Sequence, residues 1–548
     1  MSVRLDAAYR SAAVRAIAGT GAGTEFDVLV VGGGVVGAGA ALDAASRGLS
    51  VALVEARDWA AGTSSRSSKL VHGGLRYLEQ RDFALVREAL RERRLLLQRL
   101  APHLVRPVQF LFPLTHPGWE RAYVGAGVAL YDSIGGARAL PVHRHLSRGR
   151  ALELAPSLRP DALTGAIRYH DAQVDDARLT MTLARTAAQH GATVLTRAEA
   201  RGLLRDSGRV VGARVHDVRS GVTHAVRARR VIGATGVWTG GLGSAPFTIR
   251  MSKGVHVLVP RSLIRLGTGL VTRTEKSVLF VIPWGRFWLV GTTDTPWQGD
   301  PDRPAATRGD VDYLLAHANA LLREPLRIED VVGVYAGLRP LLAAAGTSET
   351  TKLSREHAVA QPEPGHVIVA GGKLTTYRVM AADVVDVAAR GLGRAVAPSL
   401  TRHLPLIGAV GHHELWADRA DLAHRAGLPV STVERLLGRY GSEITDLLAL
   451  MADDPELASP LGGGYLAAEA VYAVTHEGAL DLDDVLARRT RIAIEYADGG
   501  AGVAARAAEL VGEHLGWDAS SRRAAVAAYR EQARAESAAL ARVTLAPA

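Results

Sequence analysis

Residues 26–55 hold a complete dinucleotide-binding unit. The apolar run Phe26-Asp27-Val28-Leu29-Val30-Val31 enters the turn Gly32-Gly33-Gly34-Val35-Val36-Gly37; a small-residue helix comes next, and a second apolar run over 49–54 ends on Glu55. Each part has a physical task. Gly32 makes the tight turn, Gly34 lets the backbone approach a pyrophosphate, and Gly37 brings the helix close to the sheet. The first N–H groups of the helix, at the positive end of its dipole, face the phosphates. Glu55 falls at the distance where a carboxylate accepts ribose hydroxyls.

The unit alone does not separate FAD from NAD. Two later segments bear on that choice. Residues 230–238 read as a strand that ends in Ala234-Thr235-Gly236, a turn by which many flavoproteins return to the nucleotide. Residues 367–377 read as another strand, entering Gly371-Gly372-Lys373 and then a helix. Three such segments, spread between residues 32 and 377, imply a nucleotide domain interrupted by insertions. An NAD-dependent Rossmann domain is usually continuous, so FAD is expected.

At 548 residues the chain should form two or three domains. With no cysteine, disulfides, thiolate metal sites and a catalytic thiol are excluded, which fits a reducing compartment, and no metal is expected. No apolar stretch approaches the roughly 20 residues needed to cross a bilayer. Residues 1–24 lack the apolar core of a secretory signal, so the sequence points to a cytoplasmic protein. The formal charge of +10 is not accompanied by a nucleic-acid-reading motif, and arginine is spread along the whole chain. No nucleic acid partner is expected; an anionic substrate or membrane surface needs only local basic clusters.

Along the chain, 1–24 read as a short basic helix and a Gly/Thr spacer, an appendage to the nucleotide domain. Residues 82–100 read as a long helix stopped by Pro102, with six arginines between Arg81 and Arg99. From 191 to 290 the pattern turns to short β-type runs (193–196, 210–215, 223–226, 255–259, 277–282 and 287–290), an antiparallel sheet suited to substrate binding. Residues 412–540 have helical periodicity and no glycine-rich site.

The densest polar constellation is Thr63-Ser64-Ser65-Arg66-Ser67-Ser68-Lys69-Leu70-Val71-His72-Gly73-Gly74-Leu75-Arg76-Tyr77. Soon after a second nucleotide strand, such a loop is expected to lie along the cofactor toward its reactive ring, with Thr63, Ser64, Ser65, Ser68, Lys69 and Leu70 in contact.

This run resembles the signature of FAD-dependent glycerol-3-phosphate dehydrogenases. So do Val174-Asp175-Asp176-Ala177-Arg178-Leu179, Ile282-Pro283-Trp284, Gly291-Thr292-Thr293-Asp294, Gly337-Leu338-Arg339-Pro340-Leu341 and Gly371-Gly372-Lys373-Leu374-Thr375-Thr376-Tyr377-Arg378, in the family's order. Weaker motifs lie around Arg488-Arg489-Thr490. The resemblance implies an α/β fold: a Rossmann-like FAD domain of the glutathione-reductase/D-amino-acid-oxidase type, an antiparallel substrate domain and an all-helical C-terminal domain. The boundaries expected are 25–400 for the oxidoreductase region and 401–548 for the helical domain. Within the former, 25–100, 165–240 and 355–400 belong to the FAD part, and 101–164 and 241–354 to the substrate part.

The resemblance further implies oxidation of sn-glycerol 3-phosphate to dihydroxyacetone phosphate, with non-covalent FAD taking the hydride and membrane quinone receiving the electrons. That places the protein on the inner face of the cytoplasmic membrane as a peripheral enzyme, docked on an anionic surface; a homodimer is compatible with it. The basic helices at 82–100 and in 1–24 are candidate docking elements, as is the C-terminal domain. The substrate phosphate suits arginine forks, and Arg339 resembles the family's principal phosphate arginine. Arg76, Tyr77 and Arg355 resemble its partners. Loss of the hydroxyl proton needs a base, for which His72 is the first candidate and His256 the second. Lys373 is expected beside the flavin, where a cation stabilises negative charge, with Gly371, Gly372 and Thr376 contacting the ring. An oxygen-using oxidase, an NAD-linked dehydrogenase and a non-catalytic flavoprotein are the rival readings.

Overall fold

The computed structural model describes residues 2–21, 23–74, 76–79, 82–135, 140–243, 245–275, 278–342 and 356–541. In it the strand Phe26–Val31 lies at the centre of a sheet ordered His357–Glu363, His366–Gly371, Thr223–Gly233, Phe26–Val31, Val51–Val54, Thr193–Leu195. Along this order every pairing is parallel except that of His357–Glu363 with His366–Gly371, and two further strands, Arg209–Asp217 and, beyond it, Ala198–Asp206, add antiparallel to Thr223–Gly233. A strand buried on both faces needs apolar residues at consecutive positions, which is why 28–31 read as an unbroken run. Val28 and Val30 point to the core under the helices Val35–Ser46, Asp176–Gln189 and Tyr377–Arg390, while Leu29 and Val31 point to the opposite core.

That opposite core is closed by the meander Ala198–Asp206, Arg209–Asp217 and the first half of Thr223–Gly233, together with the N-terminal helix Ala7–Ala18. The expectation of an N-terminal appendage is therefore corrected. Ala13 and Ile17 are buried beneath the sheet, Arg10 pairs with Asp217 at 2.6 Å, and Leu5 N donates to His476 O at 3.1 Å. The helix itself is rich in alanine, and its sequence does not name the distant sheet residues against which Ala13, Ile17, Tyr9 and Val14 pack.

The second sheet has ten strands, ordered Thr295–Trp297, Ile249–Pro260, Phe287–Gly291, Val278–Trp284, Gly269–Arg273, Arg106–Leu114, Gly165–Gln173, Leu70–Val71, with Gly333–Leu342 on Ile249–Pro260 and Arg144–Ser147 on Gly165–Gln173. It is antiparallel except where Gly269–Arg273 meets Arg106–Leu114. Two expectations change here. The β-type runs of 191–290 divide between the two sheets, because alternation reports a half-buried strand without naming its partner. Gly165–Gln173, expected in the FAD part, pairs along its whole length with Arg106–Leu114 in the second sheet.

From His412 to Ala541 the regular elements are helices apart from the small hairpin Pro460–Gly462 with Tyr465–Leu466. This helical part is fixed to the sheets by buried charge. Arg488 and Arg489 both reach Asp58, at 2.5 and 2.6 Å, and Arg178 forks onto Glu477. Arg185 forks onto Glu443, which also accepts from Ser2 near the N-terminus.

Asp58 is wholly buried beneath two guanidinium groups. Its replacement in Asp58→Ala leaves those charges without their shared counter-ion, and losing one partner of a buried pair costs about 3–5 kcal/mol. The denaturant midpoint of the holoprotein should fall accordingly. A midpoint equal to the parent's would show that Asp483, Asp484 and Glu477 satisfy both arginines unaided.

Candidate functional site

A cavity of about 640 Å³ is lined by residues of both sheets. Its nucleotide end is built by the glycine turn. Gly32 adopts φ +110°, and a Cβ there would lie 2.6 Å from Ala234 O; at Gly37 it would lie 1.8 Å from Gly32 O. Only glycine brings strand, helix and the Ala234-Thr235-Gly236 turn so close. Gly34 is less confined, since its Cβ would meet only Ser64 Oγ, at 3.2 Å. Glu55 accepts from Gly33 N at 2.6 Å and Arg57 N at 2.8 Å, and burial raises its pKa. A carboxylate offers about four lone-pair directions, so acceptor capacity remains for ribose hydroxyls. Ser64 Oγ accepts from Val35 N at 3.0 Å, which caps the helix that would face the pyrophosphate. Arg57 lies 4.8 Å over Trp238, and both line the cavity near Glu55.

The opposite end of the cavity carries the candidate reactive groups. Ile249–Pro260 and Gly333–Leu342 are paired so that His256 stands opposite Tyr335, Gly254 opposite Gly337 and Ser252 opposite Arg339. The His256 ring stacks on Tyr335 at 4.9 Å, and its Nε2 is 2.9 Å from Ser68 Oγ. Burial, and then the charges of Arg339 and Lys69, hold its pKa well below the ordinary histidine value. Arg339 Nη2 donates to Thr292 Oγ1 at 2.9 Å and to Thr293 O at 3.2 Å, and Asp294 stands 3.6 Å away. Lys373 Nζ lies 3.6 Å from the centre of the Tyr77 ring.

The loop that carries His72 is tied down by its backbone. Thr375 Oγ1 accepts from His72 N at 3.1 Å and donates to His72 O at 3.2 Å. Gly73 N donates to Tyr131 Oη at 2.7 Å, and that hydroxyl donates to Asp171, itself paired with buried Arg93.

Of the residues singled out in the sequence, Gly32, Gly34, Glu55, Thr63, Ser64, Ser68, Leu70, His72, Tyr77, Ala234, Thr235, Gly236, His256, Arg339, Gly371, Gly372 and Lys373 come together on this one wall. Gly37, Ser65, Lys69 and Thr376 stand behind it. Lys69 turns inward, with its ammonium on Ser65 O at 2.7 Å and Asp176 at 2.8 Å, so it does not lie along the cofactor. In the turn Leu374–Thr376 it is Thr375 that lines the cavity, one residue before the expected Thr376. Arg355 and the side chain of Arg76 lie outside the described residues. Arg57, Trp238 and Thr375 escaped sequence reasoning; Thr375 had a signal, its place in the Gly371–Arg378 block, but Arg57 and Trp238 had none.

Comparison with known proteins agrees with this architecture. A family described as FAD dependent oxidoreductase matches residues 27–386, and one described as the C-terminal domain of alpha-glycerophosphate oxidase matches 399–522. Glycerol-3-phosphate dehydrogenase 2 of Mycobacterium tuberculosis (strain ATCC 25618 / H37Rv) is 54% identical over 97% of this chain and 92% of its own length. The mitochondrial glycerol-3-phosphate dehydrogenase of Macaca fascicularis is 36% identical over 90% of this chain and 71% of its own. The solved glycerol-3-phosphate dehydrogenase of Bacillus halodurans, complexed with FAD, superposes with a TM-score of 0.78 at 28% identity, covering 98% of both chains. The chain belongs to the FAD-dependent glycerol-3-phosphate dehydrogenase family, and FAD is its cofactor.

The glycine geometry ranks substitutions by their effect on FAD retention. Gly32→Ala and Gly37→Ala each force a Cβ into a backbone oxygen and should yield colourless protein. Gly34→Ala meets only a serine hydroxyl within the protein, so it should fold as the parent does and lose flavin only through the approach of the pyrophosphate itself. Absorbance of the purified variants checks this, and parental flavin content in all three would remove the close-approach argument.

Proposed function

We propose that the chain oxidises sn-glycerol 3-phosphate to dihydroxyacetone phosphate in this cavity and delivers the electrons to a membrane quinone. The observation that carries the reading is the position of Arg339: its guanidinium is braced by threonines on the cavity wall, close enough to His256 to depress its pKa. A phosphate binds a guanidinium bidentately, and a three-carbon substrate anchored there brings its carbon 2 hydroxyl toward the histidines. FAD, when bound, takes up the hydride that leaves carbon 2.

The chain's residues account for the proton. A neutral imidazole is required, and the depressed pKa of His256 keeps it so. A base depressed this far is weak; the dianionic phosphate offsets the positive field of Arg339 and returns that part of its basicity, while burial, the larger cause, stays. His72, on the same wall, is the alternative base or orients the hydroxyl. Lys373 supplies positive charge at the ring end, and Glu55 with the glycine turn holds the nucleotide.

Quinone stays in the bilayer, and no described helix is long and apolar enough to span one, so docking must be peripheral. The candidate elements named from sequence are partly spent: the N-terminal helix is packed under the sheet, and the apolar side of Phe83–Leu95 is buried. Its other side exposes Arg87, Arg91 and Arg94. The neighbouring helix Trp119–Gly135 exposes Trp119 (59%), Tyr123 (52%) and Leu130 (41%), with Ala122 and Ala126 between them and no exposed charge from 121 onward. An aromatic face with the Arg273 guanidinium 5.5 Å over its Tyr123 ring, beside an arginine stripe, fits an anionic bilayer surface. Tyr131, on the inner side of that helix, is bonded to the His72 loop, so the face lies close to the reactive end.

Anaerobic addition of glycerol 3-phosphate should bleach the bound flavin; a flavin that stays oxidised overturns the assignment. Arg339→Ala should weaken apparent substrate affinity tenfold or more, since a charge-assisted bond contributes about 1.5–3 kcal/mol, while flavin content stays unchanged. Below neutrality, kcat/KM corrected for the fraction of dianionic substrate, whose phosphate titrates at about 6, should hold until His256 protonates, well under the usual histidine range; a remaining acid limb at ordinary histidine pKa would transfer the base role to His72. Peroxide formed under air in place of quinone reduction would establish the oxidase.

The docking face predicts co-sedimentation with anionic vesicles at low salt and release at high salt, because exposed charges are screened over about 8 Å at physiological ionic strength. Replacing Trp119, Tyr123 and Leu130 together by serine should weaken that binding while leaving turnover with a soluble acceptor intact. Undiminished vesicle binding by the triple variant would move the docking surface elsewhere.

A further inference from the structure

The segment 65–69 is held in place from the C-terminal domain. Asp176 is fully buried. Its Oδ2 accepts from Ser67 N at 2.8 Å and Ser67 Oγ at 2.7 Å; its Oδ1 accepts from Lys69 Nζ at 2.8 Å, Ala177 N at 2.9 Å and Arg491 Nη2 at 2.5 Å. Arg491 also bonds Asp175 through Nε at 3.0 Å and Nη2 at 2.5 Å, and its Nη1 reaches Ser65 O at 3.3 Å. One guanidinium thus spans two carboxylates and the carbonyl that also receives Lys69. A lysine ammonium, a point charge without the planar fork, cannot span the same set.

Two paths run from this clamp to His256. Ser68 places its hydroxyl on the imidazole Nε2, and Tyr335, whose hydroxyl donates to Ser67 O at 2.7 Å, stacks its ring on the imidazole. Lys69 Nζ sits 4.8 Å over that same Tyr335 ring. The groups facing His256 are therefore Ser68, Tyr335, Lys69 and Arg339; those facing Lys69 are Asp175, Asp176, Arg491 and the rings of Tyr335 and Trp284.

We propose that Arg491 is a positioning residue for His256: through Asp176 it holds the 65–69 segment so that Ser68 and Tyr335 fix the imidazole, and the C-terminal domain thereby completes the reactive end of the cavity. The inference rests on the reading of His256 as the base. A second observation ties the clamp to the chemistry. Burial, and next the charge of Arg491, push the Lys69 ammonium down to about 8 against the pull of Asp176 and Asp175. Lys69 therefore discharges within a working pH range, breaks its ion pair with Asp176, and relieves His256 of one neighbouring positive charge.

The test compares full-length holoenzymes of the parent, Arg491→Ala, Arg491→Lys and Lys69→Met, each scored per bound flavin. In the parent, kcat should show a transition near pH 8, and the pH dependence of dihydroxyacetone phosphate binding, read from the flavin absorbance, should show it too. Arg491→Ala should lower kcat by about tenfold to a hundredfold, as a small misplacement does, with KM changed less than about threefold. Its transition should move upward, because a neighbouring positive charge is gone. Arg491→Lys should keep the transition near its parental position and still lose kcat, since the charge stays and the fork does not. Lys69→Met should show no such transition.

A role confined to stability would lower the melting temperature and holoenzyme yield but leave kcat per flavin and the transition unmoved, and that result in Arg491→Ala overturns the proposal. If the alanine variant does not fold, parental kcat in Arg491→Lys or a persisting transition in Lys69→Met overturns it instead. A parent enzyme that fails to bleach with glycerol 3-phosphate refutes the proposed function; a parent that bleaches while these variants behave like it refutes only this inference.

Discussion

Asp58, Asp175 and Asp176 stand on one side of a seam whose other side is Arg488, Arg489 and Arg491, and all but the half-buried Asp175 are buried. Removing so many charges from water is expensive, and the attraction between them returns the cost only if every fork finds its oxygens. Such a seam contributes little net stability for its size but tolerates few alternative geometries. It therefore fixes where the helical domain sits on the sheets. Since Asp175 and Asp176 also open the helix Asp176–Gln189, which packs against the helix after the glycine turn, the seam links nucleotide end, reactive end and C-terminal domain.

The reactive end depends as much on side chains that are missing. A Cβ at Gly254 would lie 2.4 Å from Arg339 Nη2, one at Gly291 would lie 2.2 Å from the His256 ring, and one at Gly337 would meet Arg66 O at 2.4 Å. In a sheet, neighbouring side chains on one face compete for the same space, so a large polar group can lie flat where a directly opposite or diagonal neighbour is glycine, as Gly291 is for His256 and Gly254 for Arg339. The three glycines act as recesses that let Arg339, His256 and the 65–69 segment settle side by side. They also explain why the motifs around these residues contain glycine at all, since none of the three is named for its own chemistry.

What the sequence disclosed and what it concealed reflect one physical distinction. The turn at Gly32, Gly34 and Gly37 with Glu55, the 63–77 run and the 371–378 run were legible because each performs its task within a contiguous stretch, where spacing fixes geometry. The expected nucleotide-binding α/β architecture with a helical C-terminal part was legible for the same reason, from alternation and periodicity. The pairing of Gly165–Gln173 with Arg106–Leu114, the burial of Ile17 and the reach of Arg491 into Asp175 and Asp176 were not, because each depends on a partner far away in the chain. Lys69 and Thr376 show a subtler limit. Both sit in the right motif, but a one-residue change of facing in a tight turn decides between the cavity and the core, and Ser68 and Thr375 face the cavity instead.

The net charge of +10 illustrates the same distinction. Read as a bulk quantity it suggests an anionic partner, but Arg178, Arg185, Arg488, Arg489 and Arg491 are spent inside the protein against carboxylates. What can attract an anionic surface is where arginine stays exposed and, among the described residues, has no ion pair, as along Arg87, Arg91 and Arg94. An arginine stripe alone would bind any polyanion. Its position beside the outward Trp119, Tyr123 and Leu130 narrows the choice, because apolar side chains gain from a bilayer what they cannot gain from a nucleic acid backbone. The helix that carries those residues turns Tyr131 inward to Gly73, next to His72. Outer and inner faces of one helix, about 10 Å across with its side chains, thus separate the candidate lipid contact from the loop at the candidate reactive end, a short span that suits the proposed transfer of electrons to a membrane quinone.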